Sequence, residues 1–139
     1  MSQTAILFPV LALAGWTMAV LLLMPLRIFR SVSAGQEALE DFKLGVASQN
    51  SSQATIPNRN FINLLEVPVL FYVLCIILYV TQRADATAVY LAWGYFGLRV
   101  VHSCIHLTYN KVLHRGFIYG ISNLVVMVIL VKALLEIGK

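Results

Sequence analysis

Four long apolar runs, separated by polar stretches, organise the chain. They cover about residues 5–27, 61–81, 86–107 and 117–137. Each matches the roughly 20 residues that a helix needs to cross the hydrocarbon core of a bilayer. Periodicity alone does not separate helix from strand in such runs, but at this length only a helix satisfies its own backbone in lipid. The expectation is an all-α membrane protein, a single domain over residues 1–139 folded as a four-transmembrane-helix bundle. Pro68 has no N–H for the carbonyl one turn back, which predicts a kink near Asn63 and Leu64.

The stretches between the runs are uneven. Residues 31–58 form a long polar loop. Within it, residues 36–44 carry Glu37, Glu40, Asp41 and Lys43 and fit a short surface helix, while residues 48–55 are rich in Ser, Gln and Asn and read as a mobile loop. A tight turn is expected around Gln82 to Asp85, and residues 108–116 join the third run to the fourth. Arg27, Arg30, Lys43, Arg59, Lys111 and Arg115 lie on the side of the first and third loops; Arg83, Lys132 and Lys139 lie on the other. That excess of positive residues places the first and third loops in the cytoplasm. Asn50-Ser51-Ser52 fits a glycosylation sequon, but this orientation puts it on the cytoplasmic side.

Composition supports the membrane reading and removes other classes. The chain is 60% hydrophobic and 12% charged, where a soluble domain averages about 45–50% and 25%. The net charge of +4 is spread without a dense basic tract, which argues against nucleic-acid binding. Cys75 and Cys104 lie inside apolar runs, with no neighbours spaced for a disulfide staple or a metal site, and read as small core residues. No Lys or Arg precedes the first run, which is too long for a signal peptide, so no cleavable signal is expected.

Candidate chemistry sits in the second and third runs. Arg59, Asn63 and Glu66 step by four and three; Arg99, His102, His106 and Tyr109 step by three, four and three. Each set shares one helix face, and two polar stripes on apolar helices imply one polar pocket. Several of these groups have plain structural readings. Arg27, Arg30, Lys111 and Arg115 suit snorkelling to headgroups, Arg59 suits a membrane-edge anchor, and Lys132 suits reaching the interface. Trp16, Trp93, Tyr72, Tyr79, Tyr90 and Tyr95 suit packing or an interfacial belt. His102 suits a neutral ring bonded to a carbonyl on a neighbouring helix.

Glu66 and Arg99 lie deeper, where a charge costs roughly 2.5–3.5 kcal/mol on insertion scales. A structural ion pair between them is one explanation. The other starts from the excess of Arg59, Arg99 and Arg115, with Arg27 nearby, over one carboxylate. Surplus guanidinium groups in a partly dry pocket suit a ligand's carboxylates. Glu66 and Asn63 would suit an ammonium or amide on the same ligand. A small zwitterion of net negative charge fits both.

The same residues carry a family resemblance. Arg59-Asn-Phe-Ile-Asn63-Leu-Leu-Glu66-Val-Pro68 resembles the second-helix signature Arg-x-x-x-Asn-x-x-Glu of the membrane-associated proteins in eicosanoid and glutathione metabolism (MAPEG). Arg99-Val-Val-His102, then His106, Arg115 and Tyr119, resembles the microsomal prostaglandin E synthase branch in spacing. The resemblance implies a homotrimer of four-helix subunits that binds reduced glutathione between subunits, near the cytoplasmic side. It implies glutathione contacts at Arg59, Asn63, Glu66, Arg99, His102, His106 and Tyr119, a contribution from Arg27, and a thiolate-stabilising role for Arg115. No metal is implied. The chain departs from the pattern at His106, where Tyr is usual, at Gly116, where the prostaglandin branch has Ser, and at Ile62, where that branch has Arg. Thr55 to Asn58 replaces a usual Glu-Arg-Val. These departures suit a divergent bacterial-type member in an inner membrane.

The expected function is glutathione-dependent transfer or peroxide reduction on lipophilic electrophiles dissolved in the membrane, with membrane lipids as surroundings. Two alternatives remain open: a non-catalytic lipid-binding or scaffold member of the same family, and a small transporter or proton relay built on Glu66, Arg99 and the histidines. The short chain and lack of repeats count against the transporter.

Overall fold

The computed structural model describes residues 2–35 and 52–138. The expected surface helix at 36–44, the start of the expected loop at 48–55, and Asn50 lie outside the described residues. All regular structure among the described residues is helical. After a short 3-10 turn, Gln3–Ile6, come α1 (Leu7–Ser33), α2 (Ser52–Leu65), α3 (Val67–Val80), α4 (Ala86–Leu107) and α5 (Val112–Ile137). With α2 and α3 counted as one interrupted rod, this is a four-helix bundle.

Three segments are long and apolar enough to cross a membrane: Gln3–Arg30, Arg59–Val80 and Val112–Ile137. The fourth rod, α4, has 22 residues but carries Arg99, His102 and His106, so its hydropathy is lower. It is polar on the inside. Arg99, His102, Ser103 and His106 are buried, while Trp93 and Val101 are exposed. The protein is an all-α membrane protein.

Helix boundaries shift from those expected for identifiable reasons. Residues beyond 27 lose apolarity but keep their backbone bonds, so α1 runs to Ser33. Its end is closed by Ala34 N–H to the Arg30 carbonyl and Gly35 N–H to the Val32 carbonyl, with Gly35 at φ +68, where a Cβ would strain the chain. Residues 52–55, expected as loop, begin α2; a polar composition reports hydrophilicity, not backbone conformation. α5 begins at Val112 instead of 117, which moves Arg115 from a loop onto a first helical turn.

The predicted kink occurs as a break at Glu66, whose ψ is −96°, two to three residues later than expected. Pro68 has no N–H, and its ring crowds the Leu64 carbonyl, so the ladder fails between those two positions. Pro68 itself fits the first turn of α3, where its missing N–H has no helical duty.

The turns are tight. Between α3 and α4, Gln82 takes φ 59 and Arg83 N–H reaches the Leu78 carbonyl at 2.9 Å. Asp85 N-caps α4, its side chain accepting from Ala88 N–H at 2.8 Å. Gln3 Oε1 accepts from Ala84 N–H at 2.9 Å, tying the first turn of the chain to this loop. Lys132 extends to the same end, where its Nζ donates to Asp85 Oδ2 at 2.8 Å. Between α4 and α5, Asn110 takes φ 47 and its N–H reaches the Ile105 carbonyl at 2.9 Å.

Helix α4 packs against α1, α2 and α5, and α3 packs against α1 and α5. Leu13 and Val20, Phe71 and Leu78, Ala88, Ala92 and Tyr95, and Ile129 and Ala133 form the core. The Phe71 and Tyr95 rings lie 4.5 Å apart. Phe8, Leu22 and Phe29 of α1 and Leu124 and Leu134 of α5 face outward, as lipid contact requires. Cys75 is a core residue as expected, but Cys104 is exposed. It lies on the outer face of α4, between inward-facing Ser103 and His106.

Candidate functional site

Helix α4 delivers three of the predicted polar residues to the bundle interior. Arg99 is wholly buried, and its Nη2 donates to the main-chain carbonyl of Asn63 on α2. His102 lies at 3.2 Å, through Nδ1, from the main-chain carbonyl of Arg115 on α5. A carbonyl only accepts, so Nδ1 carries the proton, and the ring matches the carbonyl-bonded reading. His106 Nε2 lies 3.1 Å from Arg115 Nη1. A guanidinium only donates, so Nε2 accepts and the proton of that neutral ring is on Nδ1.

Arg115 Nη1 also donates to Asn110 Oδ1 at 2.8 Å. The Arg115 side chain therefore lies back against α4 from the first turn of α5. Tyr119, one turn on, packs its ring 5.7 Å from that of His102, with the Arg99 guanidinium carbon 5.5 Å from its centre. Behind these, Asn60 Nδ2 donates to Ser103 Oγ at 2.6 Å, a buried bond joining α2 to α4.

A groove of about 250 Å³ opens beside this cluster, lined by Arg59, Ile62, Asn63, His106 and Arg115. Among the described residues no carboxylate lines it. Two guanidinium groups and an amide make it a site for anions and hydrogen-bond acceptors.

The predicted residues thus divide into three groups. Arg59, Asn63, His106 and Arg115 meet at the groove. Arg99, His102 and Tyr119 form a layer behind it, joined by ring and cation contacts. Arg27 and Glu66 do not line it. Arg27 Nη2 donates instead to the Leu107 carbonyl at 3.3 Å, fastening α1 to the C-terminal end of α4. Glu66 is exposed at the helix break, and among the described residues no ion pair joins it to Arg99. The guanidinium has gone to a backbone carbonyl that the break released. Tyr109 turns away to His114, with its hydroxyl 3.4 Å from Nδ1.

Sequence reasoning missed three participants. Asn60 lies four residues before Leu64 and eleven before Phe71, on the buried stripe of its rod, a spacing that could have marked it. Ser103 was hidden by its place between two histidine positions. Asn110 had one usable signal, since Asn tolerates the left-handed conformation of a helix end.

Comparison with known families agrees with the architecture. The MAPEG family model matches residues 6–135. The chain belongs to the MAPEG family. Neither a curated protein nor a solved structure matches it. MAPEG proteins are helical membrane proteins, and they include glutathione transferases and peroxidases as well as non-catalytic members.

Proposed function

We propose that this MAPEG protein is a membrane-bound, glutathione-dependent transferase or peroxidase acting on lipophilic electrophiles. One observation carries the reading: the groove gathers Arg59 and Arg115 with Asn63 and, among the described residues, no neutralising carboxylate. Such a site suits the carboxylates of glutathione and favours the ionised form of its thiol, which is the nucleophile. Arg115 is the thiolate-stabilising group in this reading, and Arg59 and Asn63 hold the peptide. In conjugation, thiol deprotonation gives the thiolate, its sulfur forms a bond to the electrophilic carbon, and the leaving group departs with the electron pair of the bond it breaks.

The exposed position of Glu66 and the reach of Arg27 to the end of α4 suit a site completed by a neighbouring copy. A homotrimer with the groove toward the cytoplasmic side of a bacterial inner membrane completes the reading. The direct test is ultraviolet thiolate absorbance when millimolar glutathione is added to the purified protein and to Arg115→Ala. A band in the wild type that Arg115→Ala lacks is expected. No binding by the wild type at that concentration overturns the proposal.

A second reading, a non-catalytic lipid-binding member, draws on the outer face of α5. There Met127, Val128, Val131 and Leu135, with Lys132 and Glu136, line an open, mostly apolar groove of about 460 Å³. Copurified lipid with no transfer to any of several electrophiles would favour it.

A further inference from the structure

Three residues one turn apart hold Arg115. His102 donates to its main-chain carbonyl at 3.2 Å, while His106 Nε2 and Asn110 Oδ1 accept from its Nη1 at 3.1 and 2.8 Å. Positions 102, 106 and 110 step by four, so a single line along α4 and the turn after it grips both the backbone and the guanidinium of Arg115.

The chemistry of that grip matters. Both side-chain acceptors are neutral. A carboxylate in either place would bind more strongly, but it would offset most of the guanidinium charge before any ligand arrived. Neutral acceptors fix the orientation and leave the charge available. They also engage Nη1 alone. Among the described residues Nε and Nη2 make no hydrogen bond, and the side chain forms part of the groove wall.

We infer that His106 and Asn110 are positioning residues: as neutral acceptors they hold Arg115 by Nη1, so that its remaining N–H groups and its uncancelled charge face a thiol sulfur in the groove. The inference rests on the proposed function and deepens it, because it assigns the orientation of the thiolate-stabilising group to two side chains that touch neither sulfur nor electrophile in this role.

Asn110 allows a clean separation of side chain from backbone. It sits at φ 47, in the left-handed region. Asn110→Gly adopts that conformation readily and keeps the turn, so any loss comes from the missing Oδ1. His106→Phe keeps a ring and removes the acceptor; His106→Gln keeps an acceptor oxygen. The experiment measures the thiolate band of bound glutathione against pH, and kcat and KM with chlorodinitrobenzene as electrophile, in wild type, Arg115→Ala, His106→Phe, His106→Gln and Asn110→Gly.

Loss of one holding bond should raise the midpoint of the thiolate band by up to about one pH unit and lower kcat by up to about tenfold in His106→Phe and in Asn110→Gly, with KM for glutathione nearly unchanged. His106→Gln should recover much of the loss. A band at its wild-type midpoint in Asn110→Gly or in His106→Phe, while Arg115→Ala abolishes it, overturns this inference and leaves the proposed function standing. No band in the wild type removes both. If His106→Phe does not fold, Asn110→Gly and His106→Gln decide: a raised midpoint in Asn110→Gly with near-normal behaviour in His106→Gln supports the inference, and any other pattern overturns it.

Discussion

Arg99 of α4 donates a hydrogen bond to the main-chain carbonyl of Asn63 in the last turn of α2. In an unbroken helix that carbonyl would accept from Val67 N–H. The break at Glu66 removes this partner, and Arg99 takes its place. A guanidinium suits the position, because the end of a helix presents unpaired carbonyls and partial negative charge. The groove and the helix break are therefore one construction, with Asn63 belonging to both.

Arg99→Met is expected to destabilise the bundle by about 1–3 kcal/mol, the usual cost of leaving a buried polar group unpaired. In a Pro68→Ala background the helix can close across Glu66, and the same substitution should cost less. Unfolding in mixed detergent micelles measures both. Equal losses in the two backgrounds would place the stabilising role of Arg99 elsewhere.

Asn60 and Ser103 should be energetically coupled. Their buried 2.6 Å bond joins α2 to α4. Interhelical bonds of this kind within membranes contribute about 0.6 kcal/mol on average and up to about 1.7. A double-mutant cycle with Asn60→Ala and Ser103→Ala reads the coupling, and additive losses would mean that the bond contributes nothing.

Asp85 makes stability depend on pH at the other end of the bundle. Partial burial raises its carboxyl, but the Lys132 hydrogen bond and charge and the Ala88 N–H outweigh this and hold it below the ordinary carboxylate range. A lowered folded-state value stabilises the fold above the unfolded-state value of about 3.9, and the gain is lost as pH falls through the folded-state value. The melting temperature of the wild type should therefore drop as pH is lowered below about 4. Asp85→Asn should drop less over the same interval, and parallel curves would contradict the assignment.

Arg115→Ala should lower glutathione-dependent kcat by about 10²–10³, the scale seen when one preorganised donor to a developing or bound anion is lost. Arg115→Lys should recover part of the rate, since it keeps the charge without the paired donors. Steady-state kinetics with glutathione and a lipophilic electrophile test this. Unchanged rates in Arg115→Ala would remove the residue from the chemistry.

Gly116 is open to a side chain. A Cβ built there meets nothing within 4 Å. Gly116→Ser, the residue of the prostaglandin branch, should fit without strain and stabilise α5 by a few tenths of a kcal/mol through helix propensity. A fall in melting temperature would show a packing constraint at this position.

Much of the candidate site is legible because its residues are the wrong type for their surroundings. Arg59, Asn63, His106 and Arg115 were found from spacing and from the resemblance, and they meet at one groove. Arg99 also stands out in the sequence, which leaves its partner open between Glu66 and a ligand; the guanidinium instead takes the Asn63 carbonyl released by the break at Glu66, while Glu66 stays exposed. Cys104 reads as a core residue from sequence because apolar runs do not show which face looks outward, and it is exposed. Asn110 passed as an ordinary loop residue because its importance comes from a partner five residues later in the chain.

Apolar run lengths alone determined that the chain is helical, how many rods it has, and that it belongs in a membrane. A run of that length has no other way to satisfy its backbone in lipid. Helical spacing also determined which polar residues share a face. Only the tertiary structure decided where those faces point, because the period of a helix says nothing about its rotation relative to its neighbours. That rotation turns the polar side of α4 inward, leaves Glu66 outside, and brings His106 and Asn110 to the guanidinium of Arg115.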